Sequence, residues 1–107
     1  MKRGSVWWVE FDPAVGSEIH KTRPAIIVSN DTANKYLARV VVIPLTSNVS
    51  RLYPGEAMVT VDGKKNKAMT DQIMSADKSR LKNKIGELSD DDMFSLETAI
   101  KTFLDLL

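Results

Sequence analysis

The chain has 107 residues, of which 43% are hydrophobic and 27% charged, and 15 Lys and Arg against 14 Asp and Glu leave a formal net charge of +1. This length and balance predict one globular domain over residues 1–107 and exclude a disordered or fibrous chain. The sequence has no cysteine, which excludes disulfides, thiolate zinc sites and cysteine nucleophiles.

Two strands and a short helical turn are predicted in the first third of the chain. Val6–Phe11 is rich in valine and aromatic residues, which favour a strand, and a loop follows it to about Thr22. Ala25–Val28 is a second short apolar run with branched residues. Either Ser29 or Asp31 is expected to cap a helical turn that ends near residue 37.

The middle of the chain predicts three more strands. Val40–Leu45 is apolar throughout, so we expect this third strand to be buried on both faces. Glu56–Val61 is the fourth. A turn at Asp62-Gly63 and a basic tip at Lys64–Asn66 then lead to a fifth strand, which is expected at Ala68–Ile73.

The clearest single element is a C-terminal helix. Ser89 is a good N-cap, and the acidic residues Asp90–Asp92 occupy the first turn, where the helix dipole favours them. Apolar residues recur after them at helical spacing: Met93, Leu96, Ile100, Phe103, Leu104 and Leu107. Strands followed by one amphipathic helix predict a small twisted sheet or barrel, of the mostly-β or α+β class, that the helix covers.

Charge is distributed unevenly along the chain. Residues 1–86 contain 14 basic and 8 acidic residues, whereas residues 87–107 contain 1 basic and 6 acidic. A basic body is compatible with a polyanionic partner, although charges also sort between elements without any function. Because the N-terminus lacks the pattern of a signal peptide and no apolar run approaches about 20 residues, we expect a cytoplasmic protein with no membrane segment.

The densest polar cluster is Gly16–Pro24, which lies between the first two predicted strands. It contains Glu18, His20, Lys21 and Arg23, which together suit chemistry on a phosphate. Pro24 restricts the backbone of Arg23 to an extended conformation. A solvated loop in which Glu18 pairs with Arg23 is the alternative. Since His20 is the single histidine of the sequence, we expect no metal site and no metal cofactor.

Two further features could contribute to binding. The triplet Thr46-Ser47-Asn48 follows the third strand and offers hydrogen-bond donors to an anion, although such triplets also form ordinary turns. Trp7 and Trp8 are neighbours in a strand, so their side chains lie on opposite faces. We expect one of them in the core, which leaves the other free to stack on a base or a partner.

Five segments resemble the MazF/PemK-type toxins of type II toxin–antitoxin systems. The segment from Gly4 to Glu18 is similar to the opening motif of that family, and Thr22–Asp31 continues it. Val42–Asn48 resembles the second conserved block. Asp71–Ile73 and the closing helix resemble the third block and the C-terminus, so the likeness spans nearly the whole chain.

This resemblance implies an SH3-like barrel with a C-terminal helix that works as a homodimer. It also implies an endoribonuclease that cuts single-stranded RNA, often mRNA, at short motifs without a metal or other cofactor. The 2′-hydroxyl would attack the adjacent phosphorus and leave a 2′,3′-cyclic phosphate and a 5′-hydroxyl. A cognate antitoxin with an acidic, partly disordered tail would neutralise the toxin, and operator DNA would be contacted only through that antitoxin.

The resemblance also assigns roles to residues. Arg23 matches the catalytic arginine that stabilises the transition state, Thr46 matches the threonine that donates to the phosphorane, and Glu18 is the expected base or base-orienting carboxylate. Loops at Val49–Gly55 and Lys64–Lys67 are expected to determine base specificity. Other RNA contacts are expected by position: Ser17, His20, Lys21, Ser47, Asn48 and Gln72.

One branch of the family uses a catalytic set that this sequence lacks. Asp71 matches the aspartate of that set, but Met69 stands where the branch has arginine and Ser17 where it has histidine. That set is therefore not carried over, and Asp71 is expected at the dimer seam or near RNA.

Two hypotheses from other functional classes remain. The related gyrase-poisoning toxins share the fold and bind a topoisomerase through their C-terminal residues, which here are Phe103–Leu107. A catalytically silent SH3-like adaptor would bind a peptide or nucleic acid without scission. In that adaptor Trp7 or Trp8 would matter more than Arg23.

Overall fold

The computed structural model describes residues 1–106, which form seven strands, two α-helices and two short 3-10 turns. The strands are β1 (Ser5–Glu10), β2 (Thr22–Ile27), β3 (Arg39–Thr46), β4 (Ala57–Val61), β5 (Lys64–Ala68), β6 (Met74–Asp77) and β7 (Leu81–Glu87). The helices are α1 (Asp31–Tyr36) and α2 (Asp90–Phe103), and the 3-10 turns are Thr70–Gln72 and Lys78–Arg80.

The strands form an antiparallel sheet that curls into a partly closed barrel. Their order is β4-β5-β3-β2-β1-β7, and β6 pairs with the first half of β3. The outermost strands β4 and β7 contact each other, and α2 packs against β4. The expected small barrel with a C-terminal helix is therefore confirmed.

Apolar side chains fill two clusters on the two faces of the sheet. Leu96 of α2 lies with Val6, Ile26 and Ile43 in the larger cluster, and each of these four side chains is fully buried. The second cluster contains the buried side chains Val9, Phe11, Ala25, Ile27, Val40, Val42, Ala76 and Leu81. Since Val42 and Ile43 belong to different clusters, β3 is buried on both faces, as its unbroken apolar run predicts.

Helix α2 begins where the sequence predicts. The Ser89 side chain accepts a hydrogen bond from the backbone N–H of Asp92, which satisfies one free amide of the first turn. The Asp92 carboxylate in turn accepts from the backbone N–H of Thr60 at 2.8 Å, so it also covers an unpaired group of strand β4. The acidic first turn therefore fastens the helix to the barrel.

The predicted apolar stripe of α2 is only partly correct. Leu96 is buried and Met93 and Ile100 pack against the core. Phe103 is 47% exposed and Leu104 is 44% exposed, at the point where the helix ends. Leu107, the last residue of the predicted stripe, lies outside the described residues.

Two predicted boundaries in the first half of the chain are wrong. Strand β2 begins at Thr22 rather than Ala25, because Thr22, Arg23 and Pro24 pair with β1 although they are polar or lack an N–H. The cap of α1 is Asn30, whose side chain accepts from the backbone N–H of Ala33 at 2.8 Å. Asn30 takes this role because it immediately precedes the first helical residue.

The predicted position of the fifth strand, Ala68–Ile73, is also wrong. The basic segment Lys64–Ala68 is the strand itself, paired with β4 across a turn at Asp62-Gly63, whereas Thr70–Gln72 is a 3-10 turn. Strands β6 and β7 follow without a predicted counterpart. Their sequences lack the alternation of apolar and polar residues that predicts a strand. Their place in the sheet comes from pairing with β3 and β1.

A helix that crosses a bilayer needs about 20 consecutive, mostly apolar residues. Neither α1 nor α2, the α-helices within residues 1–106, has the length and apolar character needed to cross a bilayer.

Candidate functional site

A cavity of about 390 Å³ lies where β1, β2, β3 and β5 come together. Strand β3 is the neighbour of β2 and pairs Pro44 with Ala25. Because the two strands run antiparallel, Arg23 and Thr46 come to the same end of the pair. The cavity is lined by Trp8, Lys21, Thr22, Arg23, Pro24, Leu45, Thr46, Ser47 and Asn66.

Arg23 presents a partly free guanidinium to this cavity. The side chain is half-buried, and its Nε donates to the backbone carbonyl of His20 at 3.1 Å. Within residues 1–106 its two terminal nitrogens make no hydrogen bond, and the four ion pairs there do not include Glu18 or Arg23. The alternative in which Glu18 pairs with Arg23 is therefore wrong, and the free N–H groups suit a phosphate.

Thr46 is the last residue of β3, and both a neighbouring strand and the following turn fix its position. On β5 its cross-strand partner is Lys67. Its Oγ1 accepts from the backbone N–H of Asn48 at 3.2 Å, so the chain turns directly after the strand. Because a hydroxyl that accepts one hydrogen bond can still donate its own proton, Thr46 can donate to an oxygen in the cavity.

The loop before β2 is fastened by its own polar groups. The Glu18 carboxylate accepts from the backbone N–H of Val15 at 2.7 Å, and the Gln72 side chain accepts from the backbone N–H of Ile19 at 3.2 Å. The backbone N–H of Lys21 donates to the Asp12 carboxylate at 3.0 Å, and Lys21 has a positive φ of 68°. Gln72 and Glu18 thus stabilise the loop that delivers Lys21 to the cavity.

The structure brings together part of the set that the sequence predicts. Arg23, Thr46, Lys21 and Ser47 line the cavity. The remaining predicted residues lie outside the lining: Glu18, Ser17, His20, Asn48 and Gln72. Asn48 is exposed in the loop after β3, where its side-chain oxygen accepts from the N–H and the hydroxyl of Ser50.

For two lining residues, Trp8 and Asn66, the sequence predicted a role in binding but not a place in this cavity. Trp8 is 41% exposed and borders the cavity, whereas Trp7 packs against the second core cluster and donates to Ser5 Oγ at 3.0 Å. The division of the two tryptophans between surface and core is confirmed. Asn66 lies within the predicted specificity segment but reaches the cavity from strand β5, and only the strand register reveals this.

The charge of the lining favours an anion. It contains the cations Lys21 and Arg23 and no carboxylate. A larger cavity of about 570 Å³, between the N-terminus and α2, has four carboxylates against two cations in its lining and is unsuited to a polyanion. Among residues 1–106, no three His, Asp or Glu side chains form a group that could hold a metal ion.

Comparison with known proteins gives a family match and several relatives that align along the whole chain. The model of a family described as PemK-like, MazF-like toxin of type II toxin–antitoxin system matches residues 2–104. The endoribonuclease MazF9 of Mycobacterium tuberculosis is 40% identical over 115 aligned positions, covering 99% of this chain and 98% of the relative. The endoribonuclease MazF of Staphylococcus saprophyticus is 35% identical over 114 positions, covering 99% and 92% respectively.

Solved structures of similar proteins superpose along the chain. A mycobacterial endoribonuclease in complex with its cognate antitoxin gives a TM-score of 0.83 at 29% identity, covering 100% of this chain and 97% of that one. MazF of Deinococcus radiodurans gives 0.87 at 24% identity, covering 99% and 97%, which supports the fold. The relatives are named endoribonucleases, so the gyrase-poisoning alternative gains no support from them.

Proposed function

Since the chain belongs to the PemK-like, MazF-like toxins of type II toxin–antitoxin systems, we infer that it is an endoribonuclease. We propose that it cuts single-stranded RNA at short motifs without a metal ion, and that the cavity lined by Arg23 and Thr46 is the active site. The observation that carries this proposal is that one lining without carboxylates contains both Arg23, whose two terminal nitrogens make no hydrogen bond within residues 1–106, and the hydroxyl of Thr46.

The reaction uses the RNA's own nucleophile. The ribose 2′-oxygen forms a bond to the adjacent phosphorus and loses its proton to a base, while the bond from phosphorus to the 5′-oxygen breaks and that oxygen gains a proton. The products are a 2′,3′-cyclic phosphate and a 5′-hydroxyl. Negative charge grows on the non-bridging oxygens in the transition state, so donors already placed around them lower the barrier. Arg23 and Thr46 supply such donors.

The lining contains neither a carboxylate nor an imidazole, so a carboxylate or histidine base would come from outside it. Glu18 is our candidate, as the base itself or as the group that orients it. His20 lies on the same loop, and its backbone carbonyl already contacts Arg23. Kinetics of Glu18→Gln beside His20→Gln would separate the two: the larger loss of kcat marks the base.

Two partners follow from the same proposal. The basic body and the cationic lining suit the acidic tail of a cognate antitoxin, and a similar mycobacterial endoribonuclease has been solved with its antitoxin. We also propose a homodimer. The described surface carries the exposed apolar side chains Leu52, Tyr53, Phe103 and Leu106, each at least 47% exposed, which a second copy would cover.

The decisive experiment incubates the purified protein with a long single-stranded RNA in excess EDTA and maps the new 5′ ends. Discrete cuts that carry 5′-hydroxyls are expected. Intact RNA after incubation with folded protein would refute the proposal, and RNA that is bound but uncut would favour the adaptor. Cuts that vanish when EDTA is added would contradict the metal-independent chemistry.

Thr46→Val is expected to lower kcat/KM for RNA cleavage by about 10², because it removes one donor to the phosphorane and keeps the shape and strand preference of the side chain. Initial rates on a single-motif oligonucleotide measure this effect. Thr46→Ser, which retains the hydroxyl, is the matched control and should keep most of the activity. Equal rates for the valine and serine variants would show that the hydroxyl plays no part.

Trp8→Ala is expected to weaken RNA binding by about tenfold, since stacking of one base on an aromatic ring contributes about 1–3 kcal/mol. The dissociation constant of a 2′-O-methyl RNA that cannot be cleaved measures the effect. Trp8→Phe keeps an aromatic face and should bind nearly as well as the wild type. An unchanged dissociation constant in Trp8→Ala would remove Trp8 from the RNA site.

A further inference from the structure

Lys67 lies directly beside the proposed active site but is not part of its lining. It is the residue of β5 that pairs with Thr46 of β3. Cross-strand partners share one face of a sheet, so the Lys67 side chain leaves β5 on the face that carries Thr46. The side chain is only 12% exposed, which is unusual for lysine.

The Lys67 ammonium contacts the loop that connects β3 to β4, residues 47–56. Its Nζ donates to the backbone carbonyl of Arg51 at 3.1 Å and lies 3.4 Å from the Glu56 carboxylate. The same nitrogen stands 5.6 Å from the centre of the Tyr53 ring. One charged group therefore contacts three different residues of this loop.

The contacts around Lys67 form a connected network. The Glu56 oxygen that faces Lys67 also accepts from the backbone N–H of Tyr53 at 2.8 Å, and the Glu56 side chain is only 13% exposed. The end of the loop has another anchor, because the Thr70 hydroxyl donates to the carbonyl of Gly55. Within residues 1–106, however, the contact from Lys67 is the only hydrogen bond to the Arg51 carbonyl.

This arrangement differs from that of a lysine that binds substrate. Lys21 lines the cavity, and Lys64 and Lys65 are exposed on the same hairpin as Lys67. Those three ammonium groups are available to phosphates, whereas that of Lys67 is enclosed by the loop. Its position predicts an effect on the shape of the site rather than on the attraction of RNA.

We propose that Lys67 is a positioning residue that sets RNA sequence selectivity by holding the 47–56 loop against β5, a role that rests on the proposed endoribonuclease function. The loop begins at Ser47, which lines the cavity, so its path determines which bases fit beside the scissile phosphate. A fixed loop rejects the wrong base through steric and polar mismatch. A loosened loop accepts more sequences.

The test compares wild type, Lys67→Met and Lys67→Arg in EDTA. Methionine keeps an unbranched chain of similar length without charge, and arginine keeps the charge and the donors. The measured quantity is the ratio of kcat/KM for the preferred motif, as mapped for the wild type on a long single-stranded RNA, to that for its best single-base variant. We expect this ratio to fall about tenfold in Lys67→Met and to recover in Lys67→Arg.

Hydrogen exchange supplies an independent readout. Lys67→Met should speed exchange at the amide of Tyr53, which reports on the loop, while amides of β1 and β2 stay protected. If Lys67→Met does not fold, the double variant with Glu56→Gln takes its place. It leaves no unpaired carboxylate and retains an acceptor for the Tyr53 N–H. Failure of both variants to fold would overturn the proposal.

The remaining outcomes are distinct. An unchanged selectivity ratio in a folded variant overturns the role of Lys67. A uniform fall in kcat/KM for every motif, with a weaker salt dependence, also overturns it, because that result marks a direct phosphate contact. Wild-type protein that cuts no RNA refutes the proposed function itself, which the wild-type arm reveals before any variant is compared.

Discussion

Arg23→Ala is expected to lower kcat/KM for RNA cleavage by about 10³ while the protein stays folded. The terminal guanidinium nitrogens make no hydrogen bond within the described chain, so they can donate to the phosphate oxygens as charge develops there. Loss of one such preorganised donor costs about 3–4 kcal/mol of transition-state stabilisation. Single-turnover cleavage of an oligonucleotide in EDTA measures the loss directly.

Two further variants separate the charge of Arg23 from its geometry. Arg23→Lys keeps a cation but lacks the planar fork of donors, so it should recover only a small part of the lost rate. Arg39→Ala removes an exposed arginine from the opposite end of β3 and should cleave at nearly the wild-type rate. Activity of Arg23→Ala equal to that of Arg39→Ala would remove Arg23 from the mechanism.

Leu96→Ala is expected to lower the free energy of unfolding by about 3 kcal/mol. Leu96 is a fully buried side chain of α2 in the larger core cluster, with Val6, Ile26 and Ile43. Truncation removes its transfer free energy and leaves a cavity that the surrounding strands cannot fill. Chemical denaturation at one fixed protein concentration measures the effect, since association of the proposed dimer would add to apparent stability.

The control for Leu96 comes from the same helix. Phe94 is two residues earlier on α2 and is 70% exposed, so Phe94→Ala should change the unfolding free energy by no more than about 0.5 kcal/mol. If both variants lost the same stability, helix formation rather than core packing would explain the result. A loss below 1 kcal/mol for Leu96→Ala would show that the barrel does not depend on the helix.

Elements with a strong local pattern could be predicted from the sequence. The apolar run of β3 and the Ser89 cap of α2 lie where they were expected, because burial on both faces and capping are encoded by neighbouring residues. The basic strand β5 could not be predicted in the same way. Its residues Lys64–Lys67 are held by pairing with β4, and such tertiary pairing overrides a weak strand preference.

In the proposed site, too, some residues could be predicted from the sequence and others could not. Arg23 and Thr46 were identified through a family resemblance, and the register of β2 and β3 brings them to one cavity. The same resemblance predicts Glu18 as the base or base-orienting carboxylate, yet this carboxylate accepts a hydrogen bond from the backbone of Val15 and lies outside the lining. No local pattern distinguishes a carboxylate that stabilises a turn from one that faces a substrate.

By itself the sequence determined the family and the mostly-β barrel with its closing helix, and it predicted Arg23 and Thr46 as candidate site residues. Only the tertiary structure decided that Trp8 rather than Trp7 faces the cavity, that Asn66 joins the lining, and that Lys67 holds the neighbouring loop. The physical reason is distance along the chain. Caps and apolar runs depend on residues a few positions apart, whereas these contacts join segments about 10 to 60 residues apart that meet only once the strands have paired.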